Sequence, residues 1–157
     1  MKRAKIAVIG IGDFGAAIAR RLTQKGADVL AIDSDAQTIE AIADDVAYCV
    51  AIDATDAKAL VAQEITAFDA VIVSIGQNFE HRLLIVAQLL DLGVKRIIAR
   101  ATGKNQRKIL EKLGIHEILS PEEEVGALVA ERLLMPSVFS QLRSEERRVG
   151  KECRSRW

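Results

Sequence analysis

Three glycines, Gly10, Gly12 and Gly15, are spaced G-x-G-x-x-G within VIGIGDFGAAIARRL. A short apolar run precedes them and an amphipathic stretch begins at Phe14. Between a strand and a helix, that spacing is the signature of a pyrophosphate cradle. Gly10 permits the tight turn, Gly12 lets the backbone approach the ligand, and Gly15 lets helix and strand pack closely. The free N–H groups of a helix start then attract phosphate. Asp33 ends the second apolar run, 18 residues after Gly15. An acid there takes ribose hydroxyls and disfavours a 2′-phosphate, so NADP is not expected. Asp33 or Asp35 is also placed to cap the helix that follows. Asp53-Ala54-Thr55-Asp56 follows the third run; it either lines the adenine side or caps the next helix through Thr55. Ser74-Ile75-Gly76 follows the fourth run, where small residues leave room for a ligand at the topological switch point. Asp13 places a carboxylate where phosphates gather. It would repel a terminal phosphate and accept hydrogen bonds from a second ribose, or else face solvent at the helix start, where a carboxylate is favoured.

Other reactive side chains are sparse. His81 and His116 are the only histidines. His81 follows the switch point, where it either faces the ligand or stands exposed on a helix; the second is expected. His116 opens the sixth run, away from the cradle. Cys49 reads as a small hydrophobe inside a buried strand. No Cys/His set has zinc spacing, and no Ser-His-Asp set is arguable. A cofactor cradle with this little chemistry around it points to a sensor or regulator rather than a catalyst.

The elements that must position these residues alternate. Apolar, β-branched runs lie at Lys5–Ile9, Val29–Ile32, Ala47–Ala51, Ala70–Ser74, Arg96–Ala99 and Glu117–Leu119. Helix-period segments lie at Phe14–Lys25, Gln37–Ala43, Ala57–Gln63, Phe79–Leu92, Gln106–Leu113 and Ser120–Leu134. The predicted fold is α/β: a Rossmann-like, doubly wound, six-stranded parallel sheet of order 3-2-1-4-5-6, its strands covered on both faces, with a C-terminal crossover helix. Gly26, Gly93 and Gly114 each close a helix in the left-handed region. Ser120 caps the last helix with Pro121 at its first position and Glu123 completing a capping box, and Pro136 ends it.

Half of the 157 residues are hydrophobic and 4% are aromatic, so the core is aliphatic. The formal net charge of zero argues against a dedicated nucleic-acid binder. No apolar run approaches the roughly 18 residues of a membrane span, and no signal peptide opens the chain. Two cysteines make no disulfide framework and fit a reducing cytoplasm. The last 15 residues, RSEERRVGKECRSRW, have no periodicity and resemble an in-frame translation of a sequencing adapter. Without them 16 basic and 19 acidic residues remain. The expected organisation is a nucleotide-binding domain at 1–134, the start of a linker at 135–142 leading to a further lobe, and an artefactual tail at 143–157.

The motifs VIGIGDFG, VLAIDSD, AIDATD, VIVSIGQN, IIARA and KILEKLGIHEILSPEEEVG, in this order from Ala4 to Leu134, resemble the N-terminal half of an RCK domain, also called TrkA-N. Such domains belong to the cytoplasmic regulatory subunits of Trk/Ktr-type potassium uptake systems. The resemblance implies that Gly10, Gly12, Phe14 and Gly15 hold pyrophosphate and adenosine, with Asp13 beside them towards a second ribose, that Asp33 with Ser34 takes the ribose, and that Asp53, Ala54 and Thr55 line the adenine side. It places Ser74, Ile75 and Gly76 under the ligand and brings Arg100 towards phosphate, where an exposed strand-end charge is the alternative. Glu122 would bind a divalent cation, Mg²⁺ or Ca²⁺, at a dimer interface, or simply favour its helix N-terminus. The implied ligand is NAD(H) or an adenine nucleotide (ATP, ADP or AMP). The implied partners are a second copy of the chain, in a homodimer that assembles into a ring, and a membrane-embedded potassium transporter that would hold it at the inner membrane face. Many ATP-responsive members carry Arg where this chain has Asp13, which inclines the expectation towards NAD(H). The cofactor domain of an NAD-dependent oxidoreductase and a free-standing NAD(H) sensor remain alternatives.

Overall fold

A computed structural model describes residues 2–135. Pro136 and the adapter-like tail lie outside the described residues. Six parallel strands alternate with helices: β1 (Lys5–Ile9), α1 (Asp13–Gln24), β2 (Asp28–Asp33), α2 (Ala36–Ile42), β3 (Tyr48–Ala51), α3 (Ala57–Ala62), β4 (Ala70–Val73), α4 (Phe79–Leu92), β5 (Ile97–Arg100), α5 (Gly103–Lys112), β6 (Glu117–Leu119) and α6 (Pro121–Leu134). The sheet order is β3-β2-β1-β4-β5-β6. Every pairing is parallel, with Ile9 opposite Ile32 on β2 and Val73 on β4. The predicted architecture is therefore present. The strand order reverses between β1 and β4, which opens a crevice at their carboxyl ends.

Aliphatic residues from the two sheet faces form two clusters. Ile9, Ile32, Val71, Val73, Ile85 and Leu89 belong to one, with Val8, Val29, Ala31 and Ile72 in the other. Alternate residues of the same strands go to opposite clusters, as parallel strands covered on both faces require. β3 departs from that expectation. As the sheet edge it is half-covered, with Tyr48 62% exposed and Cys49 only partly buried.

The helix ends follow the chain's punctuation. Gly26, Gly93 and Gly114 all have positive φ. Asp35 caps α2 by accepting from Gln37 N, so the cap falls to Asp35 and not Asp33. Asp56 caps α3 by accepting from Lys58 N, which overturns Thr55 as the cap. α5 begins three residues before its apolar period, because Gly103 at φ 81° lets the chain turn straight from β5 into the helix.

The chain divides into a unit ending at Ser120 and another beginning at Pro121. The first holds the whole sheet. In the second, α6 carries Glu122, Glu123 and Glu124 in its first turn and Arg132 in its last, in the sense of the helix dipole.

Candidate functional site

β1 runs directly into the glycine loop. Gly10 has φ 94°, and a Cβ on it would meet Ile75 Cγ1 at 2.7 Å. Only glycine fits there. Gly15 is tighter still, for a Cβ would lie 1.9 Å from Gly10 O and 2.7 Å from Ser74 Oγ. At Gly12 the same test meets nothing within 4 Å. Two of the glycines thus serve packing, and one keeps open ground in front of a helix. Gly12 is the N-cap of α1 and supplies no side-chain acceptor to the first turn. The N–H groups there are left for a ligand. Phosphate fits this cradle by its donors and by its space.

Asp33 reaches across from the end of β2. Its Oδ2 accepts from Ile11 N at 2.8 Å and its Oδ1 from Asp35 N at 2.9 Å. The carboxylate therefore braces the glycine loop. Each oxygen keeps a lone pair for a hydroxyl. Ser74 is buried beneath, its Oγ donating to Gly10 O at 2.8 Å. It supports the loop from below.

A pocket of about 230 Å³ opens above these residues. Gly10, Gly12, Asp33, Ser34, Asp53, Ala54, Thr55, Ile75 and Gly76 line it, as does an apolar wall of Ile9, Ile32, Ile52 and Ile85. Nine of the residues assigned to the ligand from the sequence meet in this one space, and His81 joins them. Asp13, Phe14, Gly15, Ser74 and Arg100 are not part of its lining. Phe14 and Arg100 pair at its side, with the guanidinium 5.2 Å from the ring centre. Asp13 stands exposed in the first turn of α1. Glu122 lies in α6, and among the described residues no three His, Cys, Asp or Glu side chains form a metal-binding group.

At the other end of the pocket, Thr55 donates to Asp53 Oδ1 twice, from Oγ1 at 2.6 Å and from N at 2.9 Å. The hydroxyl bond, then the backbone bond, hold the Asp53 carboxyl below its ordinary range. Slight burial opposes the shift and the nearby His81 adds to it. His81 is both exposed, as expected, and part of the pocket lining.

One residue escaped the sequence reading. Arg82, on α4, is 1% exposed. Its guanidinium donates to Ile75 O (2.8 Å), Gly76 O (3.2 Å), Arg100 O (2.6 Å) and Gln106 Oε1 (3.0 Å). The available signal was its spacing. It heads the stripe Arg82, Ile85, Val86, Leu89, the i, i+3, i+4, i+7 face of a buried helix.

The TrkA-N domain family model matches residues 6–121. The Ktr system potassium uptake protein C of Bacillus subtilis (strain 168) is 32% identical over 142 residues, which cover 90% of this chain and 64% of that protein. The chain thus spans under two thirds of that relative's length. Two solved structures share the fold. One is the NAD(P)-binding domain of an exopolyphosphatase-related protein from Archaeoglobus fulgidus, with a TM-score of 0.75 at 24% identity, covering 83% of this chain and 98% of that one. The other is the Shewanella denitrificans Kef CTD in AMP bound form, with a TM-score of 0.72 at 20% identity, covering 98% and 99%.

Proposed function

The chain belongs to the TrkA-N domain family, and on that premise we propose that it is the nucleotide-binding part of a regulatory subunit for potassium uptake, not an enzyme. The observation that carries this reading is the open backbone at Gly12, set before an uncapped helix start and facing Asp33. The potassium-uptake name of its Bacillus relative supports the physiological role.

In this proposal the phosphates lie on the α1 N-terminus and the ribose on Asp33 and Ser34. The base lies on Ile52, Asp53, Ala54 and Thr55, above a floor of Ile75 and Gly76. Arg100 faces the phosphates from the side of Phe14. The ligand is NAD(H) or an adenine nucleotide (AMP, ADP or ATP), and Asp13 decides between them. At 4 Å from a terminal phosphate a carboxylate costs ~1 to 4 kcal/mol, according to its solvent exposure. NAD(H) has no terminal phosphate. Two copies of the chain associate and build a ring on the cytoplasmic side of a membrane-embedded Trk/Ktr-type transporter. Nucleotide shifts the ring between two states for which it has different affinities, and so gates transport. Glu122 holds Mg²⁺ or Ca²⁺ where two copies meet.

Calorimetric titration of the full chain with NADH, NAD⁺, ATP, ADP and AMP, with and without Mg²⁺, tests this. NAD(H) binds more tightly than ATP, and Asp13→Arg moves the preference towards ATP by about tenfold or more. Tighter ATP binding by the unaltered chain overturns the role given to Asp13. Binding of none of the five removes nucleotide gating altogether.

A further inference from the structure

We propose that Arg82 is a positioning residue for the phosphates of the bound nucleotide, an inference that rests on the nucleotide-binding reading above. Parallel strands leave carbonyl groups at their carboxyl ends outside the ladder, and a buried carbonyl needs a donor. β4 ends at Val73 and β5 at Arg100. The carbonyls of Ile75, Gly76 and Arg100 are the ones at issue, and one guanidinium serves all three. Arginine's donors form a rigid planar fork, so bonds made together fix their acceptors relative to one another. The floor of the pocket and the end of β5 are thereby held at one spacing.

That spacing governs the phosphate side. Arg100 Nη1 would stand 3.2 Å from a Cβ on Gly76, and its guanidinium lies over Phe14 in the first turn of α1. Gly76, Arg100 and Phe14 form one connected body with Arg82 at its root. The link also reaches α5. Gln106 Oε1, which accepts from Arg82, accepts from Thr102 N at 2.7 Å as well. The base side is secured separately, by the Asp53–Thr55 turn and by Gln88, which donates to Thr55 O at 3.3 Å. Only the phosphate side is tied to Arg82 through Arg100 and Phe14 as well as through the floor, so disturbing Arg82 weakens phosphate recognition more than recognition of the base.

The test compares adenosine with AMP and NAD⁺, by calorimetry on the full chain, in the unaltered protein, Arg82→Lys and Gln106→Ala. Lysine keeps the charge and loses the fork. Arg82→Lys weakens AMP and NAD⁺ by about tenfold and adenosine by less than about threefold. Gln106→Ala, outside the pocket, acts in the same direction, weakening AMP and NAD⁺ by about threefold. A role confined to packing lowers the unfolding temperature but leaves the AMP-to-adenosine ratio unchanged. That result in Gln106→Ala, or in a folded Arg82→Lys, overturns the proposal. Should Arg82→Lys fail to fold, Gln106→Ala decides alone. If the unaltered chain binds no nucleotide, the underlying reading falls and this inference with it. Normal binding with an unmoved ratio defeats this inference only.

Discussion

Gly12 and Gly15 belong to one motif and answer to different forces. A Cβ at Gly15 collides with Gly10 O, a backbone atom that cannot swing away, and with Ser74 Oγ, which is itself bonded to that loop. Gly15→Ala is expected to cost about 3 kcal/mol, seen as a lower urea midpoint. Gly12→Ala has open space around it and leaves that midpoint in place. It weakens nucleotide binding instead, because the new methyl occupies ground the ligand needs. Asp53 carries a pH signature of its own. Its carboxyl is held low by Thr55, chiefly through the hydroxyl. A carboxyl whose pKa is lower in the folded chain than in the unfolded one stabilises the fold above the ordinary aspartate range, about pH 4. That contribution disappears as pH falls through the lowered value. Thr55→Ala removes the larger of the two bonds, so urea midpoints measured from pH 6 down to 3 should fall less steeply with acid than in the unaltered chain. The group is exposed, so the difference is small.

α6 is the element with most surface still to cover. Val125, Leu128, Val129 and Leu133 are all exposed and follow helical spacing along one face. A contiguous exposed apolar stripe on a helix marks an interaction surface. If a second copy of the chain covers it, as the proposed dimer requires, Leu128→Glu removes about 2 kcal/mol of burial and sets a charge in its place. Light scattering would then show dissociation into single chains at concentrations where the unaltered protein is paired, with nucleotide affinity retained. An unchanged mass would place the dimer contact elsewhere. The Arg96–Glu117 pair joins the start of β5 to β6 by two bonds, at 2.6 and 2.7 Å. Its side chains are 59% and 45% exposed, so it aligns the edge strand more than it stabilises it.

Across the whole molecule, what the sequence disclosed was what repeats. Apolar runs of strand length and helix-period stretches announced the sheet and its order, and the glycine spacing located the pocket. What stayed hidden depends on contacts between distant segments. The spacing of Arg82 sets it on the buried face of α4, but what it does there depends on carbonyls that arrive from the ends of β4 and β5. The partial burial of Cys49 follows from β3 lying at the sheet edge, a consequence of the strand order itself. Thr55 and Asp56 are adjacent, each able to cap a helix, and Asp53 settled the choice by engaging Thr55 first. The order has a further consequence, for synthesis of the chain. β1 lies between β2 and β4, and Ser74 supports the glycine loop across a separation of 65 residues in sequence from Ile9. Translation at about 5–20 residues per second leaves the first strand with one bare edge for several seconds. Throughout that interval nothing resembling the finished pocket exists, since its wall extends to Ile85. If the pocket takes a nucleotide as proposed, the ligand selects only chains whose central strands have closed, before β5 and β6 are required. A nucleotide bound as proposed would then add to the stability of a growing chain only after α4 has left the ribosome.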